Sequence, residues 1–280
     1  MINFTQNYFD LKILKISSIK LHETTETKRL RNIFDRISKD RKLINPVIVA
    51  HHKGINILID GANRLSSLED IGCKLVLAQI INYTNNRIKL KNWNHLVYGF
   101  DLNIIREYSE AKGLKIKEYK YSDAQGIFKK SKNHLLASDT KNFKTLLIHI
   151  PGNQNSVVKE LNNFTKLYFN RFDFDRSESE IKITDLKKYS RKYGILIEFP
   201  SFNKKDIITI ASGENRIKIP AGITRHILIN RVLHVRYDIR NLLNEEDIIE
   251  KNKDFEECLI KKIDDNKVRQ YKESVIVFDE

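Results

Sequence analysis

The sequence is poor in cysteine, proline and glycine and has no long apolar run. Its two cysteines, Cys73 and Cys258, lie far apart and form no C-x-x-C pair, which argues against a disulfide framework or a cysteine-based zinc site. With only four prolines and ten glycines, the chain has no flexible linker, so its parts should pack together. No apolar stretch reaches about eighteen residues and no leader with a cleavage site is present, so we expect a cytoplasmic protein without a membrane partner.

The usual signatures of phosphate-binding proteins and protein kinases are also missing. The chain contains no G-x-x-x-x-G-K-[ST] and no G-x-G-x-x-G, and it has neither an HRD nor a DFG set. Its histidines, including the pair His51-His52, show no metal-ligand spacing, so a metal site stays unassigned.

Positive charge, in contrast, is in excess. Fifty Lys and Arg against 36 Asp and Glu give a net charge of +14, which attracts polyanions. The charge alone does not choose between a small anion such as a nucleotide and a nucleic acid, and it also suits lysines spread over solvated helix faces. An apolar fraction of 41% and a length of 280 residues predict a folded chain with two domains.

The stretch from Ile55 to Gly72 is the most informative one, because an apolar strand runs through an Asp60-Gly61 turn directly into a helix. Gly61 can adopt the positive φ of a tight turn, and the first N–H groups of the helix then point at whatever lies in the turn. Arg64 adds a fixed cation. The pattern indicates a phosphate site, although Asp-Gly is also a common turn dipeptide and Arg64 alone would suit a solvated helix.

Residues 1–85 predict a compact α+β unit. A strand-like run over 11–21 is followed by a helix near 27–39, whose apolar residues recur at helical spacing. Strands at 46–49, 55–59 and 75–81 and a helix at 65–71 that stops at Gly72 complete the unit.

Residues 86–280 are less regular and predict a second α+β unit. The segment 93–100 leads into it. The expected elements are strands at 143–150, 207–211, 227–235 and 274–278 and helices at 156–164 and 245–262. A cleft between the two units would be the natural binding site.

Several motifs together resemble a known superfamily. They are LHET at residues 21–24, NPVIV at 45–49, IDGANR at 59–64 and SLEDIGCK at 67–74, followed by Trp93-Asn94-His95, by IPAGITRHILINRVLHV at 219–235 and by the ending from Tyr271. The set resembles the ParB/sulfiredoxin-like superfamily and in particular its free L-serine kinase branch. The likeness spans most of the chain.

The resemblance implies a fold and an activity. It implies an α+β protein in which a ParB/sulfiredoxin-like nucleotide-binding domain, residues 1–85, packs on a second α+β domain, residues 86–280, with the active-site cleft between them. The implied reaction transfers a phosphoryl group from ATP or ADP, with Mg²⁺, to the hydroxyl of L-serine. The product, O-phospho-L-serine, would serve the biosynthesis of a siderophore or another specialised amino acid.

The resemblance also implies site residues. Glu23 matches the catalytic glutamate of these kinases, and Asp60 would orient the substrate or magnesium. The implied nucleotide-binding residues are Gly61, Ala62, Asn63 and Arg64, and the implied substrate-binding residues are Trp93, His95, Thr224, Arg225 and His226, with Arg225 as the clamp for the serine carboxylate. One departure is Asn63, which stands where the relatives usually have a histidine and cannot titrate near neutral pH.

Plainer interpretations and two other functions remain as alternatives. Glu23 suits an exposed first-turn position, a single tryptophan is often a core residue, and an isolated arginine is usually solvated. The positive charge favours a ParB-like DNA-binding regulator, but the GERR-type nucleotide box of partition proteins and a clear helix-turn-helix are missing. A sulfiredoxin would need a cysteine in the turn, where this chain has Ala62 and Asn63.

Overall fold

The structure is a computed structural model that describes residues 9–178, 182–186, 192–213, 216–228 and 230–270. Its first sheet is mixed and has the strand order β1-β6-β4-β5-β2. These strands are β1 (Asp10–Lys15), β2 (Ile19–Leu21), β4 (Val47–His52), β5 (Ile55–Asp60) and β6 (Leu75–Ile81). Because β2 and β5 are parallel neighbours, the LHET segment and the Asp60-Gly61 turn follow the carboxyl ends of adjacent strands and lie at the same end of the sheet.

The central strands of the first sheet, β4, β5 and β6, are largely buried on both faces, as their mostly apolar sequences require. In β4, Val47 and Val49 belong to one apolar core, whereas Ile48 and Ala50 belong to another, which follows from the alternation of side chains along a strand. The second of these cores is shared with the remainder of the protein. The two halves of the chain are therefore joined by a common apolar core.

Two helices, α1 (Thr27–Asp40) and α2 (Ala62–Ile71), pack against each other beside the first sheet. In α1, Ile37 is buried and Ile33 is partly buried in the core that contains Val47. α2 ends at Gly72, which takes a left-handed conformation, so the predicted helix and its C-cap agree with the structure.

The second sheet is antiparallel and has the order β11-β7-β12-β9-β10-β8, with β13 paired to the first half of β7. Its strands are β7 (Lys89–Val97), β8 (Lys115–Lys120), β9 (His134–Asp139), β10 (Lys144–His149), β11 (Phe174–Glu178), β12 (Ile195–Glu198) and β13 (Thr224–Ile227). Of the segment 93–100, which is predicted to lead into this unit, residues 93–97 lie in the long strand β7.

The described residues of this half of the chain include the helices α3 (Leu102–Ala111), α4 (Tyr121–Phe128), α5 (Gln154–Thr165) and α6 (Lys204–Ser212). The strand predicted at 207–211 is wrong, since these residues lie in α6. A capping box starts this helix, because Asn203 accepts from the backbone of Asp206 and Asp206 accepts from the backbone of Asn203. Local capping thus decides the conformation of an otherwise strand-like isoleucine run.

The strand predicted at 227–235 is also mostly wrong. β13 ends at Ile227, and Asn230, His234 and Arg236 take positive φ values, which no regular strand accommodates. Residues 230–236 form an irregular strap that two side chains hold: Gln79 of β6 binds the backbone at both Asn230 and Val232, and Asn45, just before β4, accepts from the N–H of His234.

After the strap, the chain returns to the first sheet. β14 (Tyr237–Asp238) pairs with β3 (Lys42–Leu43), and α7 (Ile248–Asp264) packs against β1. The division at residue 85 stays a prediction, but residues 237–264 complete the core of the first unit. The strand predicted at 274–278 lies outside the described residues. None of the helices in the described ranges combines the length and apolarity needed to cross a membrane.

A substitution of Phe255 tests whether α7 packs against the first sheet. Phe255 is buried, and its ring meets Tyr237 edge to face at a centroid distance of 5.2 Å. We expect Phe255→Ala to lower the free energy of unfolding by about 3–5 kcal/mol in urea titrations, because it opens a cavity. Ile249→Ala on the same helix is the matched control, since Ile249 is 85% exposed and should change little. Equal effects of the two substitutions would contradict the packing of α7.

Candidate active site

Glu23 is held in place by backbone pairing between two distant segments. The N–H of Thr24 donates to the carbonyl of Ile219 at 2.8 Å, and the N–H of Ile219 donates to the carbonyl of His22 at 2.8 Å. The hydroxyl of Thr24 also accepts from the N–H of Ala221 at 3.0 Å. The LHET segment therefore lies directly against the loop that precedes β13.

The carboxylate of Glu23 is half-buried and has a raised pKa. Burial is the main cause and the negative charge of Asp60 the second, and together they raise the pKa of Glu23 to about 7. The hydroxyl of Thr224 at 3.3 Å, the positive charge of Arg176 and the backbone N–H of Gly222 act in the opposite direction. A carboxylate with a pKa near neutral is suited to accept a proton at physiological pH.

The turn before α2 has the conformation that the sequence predicted. Gly61 has φ +104°, and a Cβ at this position would lie 3.0 Å from both Arg64 Nη2 and Val47 Cγ1. No side chain accepts a hydrogen bond at the start of α2, and its first turn carries no acidic residue. The first N–H groups of the helix, from Ala62 onward, therefore have no negatively charged side chain of this helix beside them. Glycine is required here by both conformation and space.

Arg64 and Asp60 form a network with an arginine that the sequence did not single out. Arg64 donates to the carbonyls of Asn45 and Pro46 at 3.0 and 2.6 Å and to Asp60 Oδ2 at 2.6 Å. Arg231, on the irregular strap, donates to the same oxygen of Asp60. Arg64 is largely buried, whereas Arg231 is 43% exposed, so the more accessible guanidinium at this turn is that of Arg231.

Asn63 lies between the turn and α1. Its side-chain oxygen accepts from the backbone N–H of Glu26, the residue that precedes α1, at 3.1 Å. Asn63 thus ties the starts of the two helices together. Its predicted contact with nucleotide is untested, and in the structure its amide oxygen has this structural partner.

Arg176 of β11 is a candidate site residue that sequence reasoning missed, because its charge acts on Glu23. It donates to Glu26 at 2.5 Å, and its guanidinium packs against Gly222, where an added Cβ would lie 2.4 Å from Nε. The Nε atom is buried and has no hydrogen-bond partner among the described residues. No local motif marks this arginine, because it reaches the site only when β11 pairs with β7.

The predicted substrate-binding trio on β13 is divided between two faces of the strand. The side chains of Thr224 and His226 point toward His22, at 3.3 Å for Thr224 Oγ1 and at a ring-centroid distance of 5.5 Å for His226. Arg225 points the other way, stacks on Trp93 at 4.3 Å from the ring centroid and forms an ion pair with Glu178. Alternation along a strand makes this division unavoidable.

His95 and His226 are both held as neutral rings. His95 is fully buried, accepts from the hydroxyl of Tyr168 at 2.7 Å and donates to the carbonyl of Gly222 at 2.9 Å. Burial lowers the pKa of His95 to about 3 and that of His226 well below its usual value. His95 is therefore buried behind Gly222 and positions its carbonyl, and His226 binds the hydroxyl of Tyr83 at 2.8 Å.

With this geometry in place, the chain can be compared with known proteins. No protein-family model matches it. It is 25% identical to an ATP-dependent L-serine kinase of Staphylothermus marinus over 225 residues, which cover 77% of this chain and 84% of that protein.

Two solved structures share its fold. C-terminally truncated SbnI from Staphylococcus aureus superimposes with a TM-score of 0.71 at 20% identity and covers 94% of this chain and 100% of that one. A variant of a free serine kinase in complex with ADP superimposes with a TM-score of 0.67 at 17% identity, covering 83% and 94%. The predicted resemblance to the free L-serine kinases and the α+β fold class are thereby confirmed.

Gly222 provides a test of how the site is packed. We expect Gly222→Ala to destabilise the protein by about 1–3 kcal/mol more than Gly113→Ala, because the guanidinium of Arg176 must move away from the new methyl group and then loses its hydrogen bond to Glu26. Gly113 is a matched control: its φ of +66° resembles the +73° of Gly222, and a Cβ there has nothing within 4 Å. Urea unfolding measures both variants, and equal losses would contradict the close contact with Arg176.

Proposed function

We propose that the protein is a free L-serine kinase that uses ATP or ADP to form O-phospho-L-serine. The observation that carries this proposal is Glu23, a half-buried carboxylate with a pKa near 7 beside the uncapped start of α2. A proton acceptor and an anion-binding helix start are the two groups that phosphoryl transfer to an alcohol requires. The fold and the kinase named above support the same activity.

The step follows from these groups. The serine hydroxyl oxygen attacks the terminal phosphorus of the nucleotide, a new O–P bond forms, and the bond from phosphorus to the departing ADP or AMP oxygen breaks. The hydroxyl proton passes to Glu23. The N–H groups of α2 and the guanidinium groups of Arg64 and Arg231 provide positive charge for the phosphates.

Magnesium fits this site as an ion that arrives with the nucleotide. The described residues contain no group of three histidine, cysteine or carboxylate side chains that could hold a metal by themselves. Nucleotide-bound Mg²⁺ needs only one or two protein carboxylates, and Asp60 is the residue that would supply one. The ion, when bound, neutralises phosphate charge.

Serine recognition is assigned to the loop and strand around Thr224. Arg225 remains the proposed clamp for the serine carboxylate, although it points to the other face of β13 from Thr224; its guanidinium lies over Trp93, and the serine carboxylate would replace Glu178 as its ion-pair partner. O-phospho-L-serine carries a good leaving group at its β-carbon, so an enzyme that replaces this group would consume it, for a siderophore or another specialised amino acid. We place the reaction in the cytoplasm. The kinase relatives do not support the DNA-binding alternative.

The activity has a direct test. Purified protein with Mg²⁺, L-serine and either ATP or ADP should form O-phospho-L-serine, detected by phosphorus NMR. Glu23→Gln should lower kcat by about a hundred- to ten-thousand-fold and leave the nucleotide Kd nearly unchanged, because Glu23 acts on the hydroxyl. If folded protein forms no phosphoserine with either nucleotide, the kinase proposal is wrong. If Glu23→Gln keeps its rate, Glu23 is a structural residue.

Substitutions of Arg64 and Arg225, the two predicted anion-binding residues, should affect different ligands. Arg225→Ala should raise the KM for serine about ten- to a hundred-fold, and Arg64→Ala should raise the nucleotide Kd by a similar factor. Because Arg64 also holds the carbonyls of Asn45 and Pro46, urea unfolding must accompany its titration calorimetry. Arg231→Ala is the comparison variant, because Arg231 donates to Asp60 as Arg64 does, whereas the bonds to the carbonyls of Asn45 and Pro46 come from Arg64. An unchanged serine KM in Arg225→Ala would remove this arginine from the substrate site.

A further inference from the structure

Glu23 is the last of four groups that three hydrogen bonds connect in a row. His22 Nδ1 lies 2.8 Å from the carbonyl oxygen of Leu58, and His22 Nε2 lies 3.3 Å from Thr224 Oγ1. The same hydroxyl oxygen lies 3.3 Å from Glu23 Oε2. The row therefore runs from a backbone carbonyl of β5 through the imidazole and the hydroxyl to the carboxylate.

The carbonyl of Leu58 fixes the tautomer of His22. A carbonyl oxygen only accepts, so Nδ1 must carry the proton. The ring is buried, 2% exposed, and burial lowers the pKa of His22 to about 4, so the imidazole is neutral at physiological pH. Nε2 is consequently an acceptor, and its neighbour is the hydroxyl of Thr224.

The hydroxyl of Thr224 has a single proton and two neighbouring acceptors. When Glu23 is ionised, Thr224 can donate to the carboxylate or to His22, but not to both. When Glu23 is protonated, it donates to Thr224, Thr224 donates to His22, and His22 donates to Leu58. Only the protonated state of Glu23 satisfies every group in the row.

We infer that His22 and Thr224 form a positioning relay that makes Glu23 a better proton acceptor. The inference rests on the proposed function, because Glu23 receives the serine proton there. As that proton arrives on Glu23, the Thr224 hydroxyl turns from the carboxylate to His22 Nε2. No proton leaves the relay, and each of its hydrogen bonds is satisfied in the product state.

Other charges also act on Glu23 and must be kept constant in a test. Asp60 faces it from the end of β5 and raises its pKa, and Arg176 faces it from β11 and lowers it. The backbone N–H of Gly222 lowers it further. His226 lies beside His22 as a second neutral ring. None of these groups needs to be changed to interrupt the relay.

The wild-type protein offers the first measurement. In ¹⁵N NMR spectra recorded against pH, the Nε2 resonance of His22 should shift with a midpoint near pH 7, where Glu23 titrates, while Nδ1 stays protonated. The Glu23 side-chain ¹³C resonance, identified by its loss in Glu23→Gln, should give the same midpoint. A His22 Nε2 resonance that does not follow the titration of Glu23 would overturn the relay.

Substitutions give the second measurement. His22→Asn keeps a donor for Leu58 and removes the Nε2 acceptor, so the pKa of Glu23 should fall by roughly 0.5 to 1 unit. The acidic limb of the pH profile of kcat/KM should move down by the same amount. His22→Gln, which keeps an acceptor near the Nε2 position, should shift it less.

Thr224→Val is the decisive background, because the coupling passes through the hydroxyl. There, His22→Asn should leave the titration of Glu23 unchanged. A shift that persists in Thr224→Val would show that His22 acts without Thr224, and no shift in the wild-type background would show that it does not act at all; either result overturns the relay. The NMR titrations need no turnover, so an absence of phosphoserine would refute the kinase proposal independently.

Discussion

The backbone pairing of the LHET segment with Ile219 is the interaction on which the rest of the site depends. Its two hydrogen bonds join residues almost two hundred positions apart, and they place Glu23 against the loop that carries Gly222 and Thr224. Loop-closure entropy makes such a contact costly, so it forms only because the apolar core on that face of the first sheet is shared by both halves of the chain. Packing thus supplies the free energy, and two hydrogen bonds set the geometry.

The charges around this contact are arranged so that Glu23 keeps a high proton affinity. Asp60 repels a second ionised carboxylate, although two arginines donate to its Oδ2 atom. Arg176, whose positive charge favours ionised Glu23, also donates a hydrogen bond to Glu26. His22, His95 and His226 have lowered pKa values and add no positive charge near neutral pH. Burial and a nearby negative charge therefore outweigh the single guanidinium that would keep Glu23 ionised.

The sequence predicted the first unit well, because local signals and tertiary structure agree there. The helix over 27–39, the strand over 75–81 and the Gly61 turn all occur where periodicity and turn chemistry placed them. The errors lie at Ile207–Ala211 and after Ile227, where a capping box and side chains of a distant sheet override strand propensity. Motif matching singled out Glu23 and Thr224, whose roles stay predictions. Arg176 and Arg231 come close to these segments only through contacts between distant parts of the chain, which a single sequence does not reveal.

The return of α7 to the first sheet has a consequence for synthesis of the chain. Phe255 and Leu259 belong to the same apolar core as Ile13 and Val47, so that core lacks one of its walls until residues 248–264 have been synthesised. During translation, β1 and β6 therefore leave the ribosome with part of their apolar surface uncovered. The antiparallel sheet of the second half, whose strands lie between these segments, can assemble first. The core of the first sheet then closes after the second sheet has formed, although most of its strands are translated earlier.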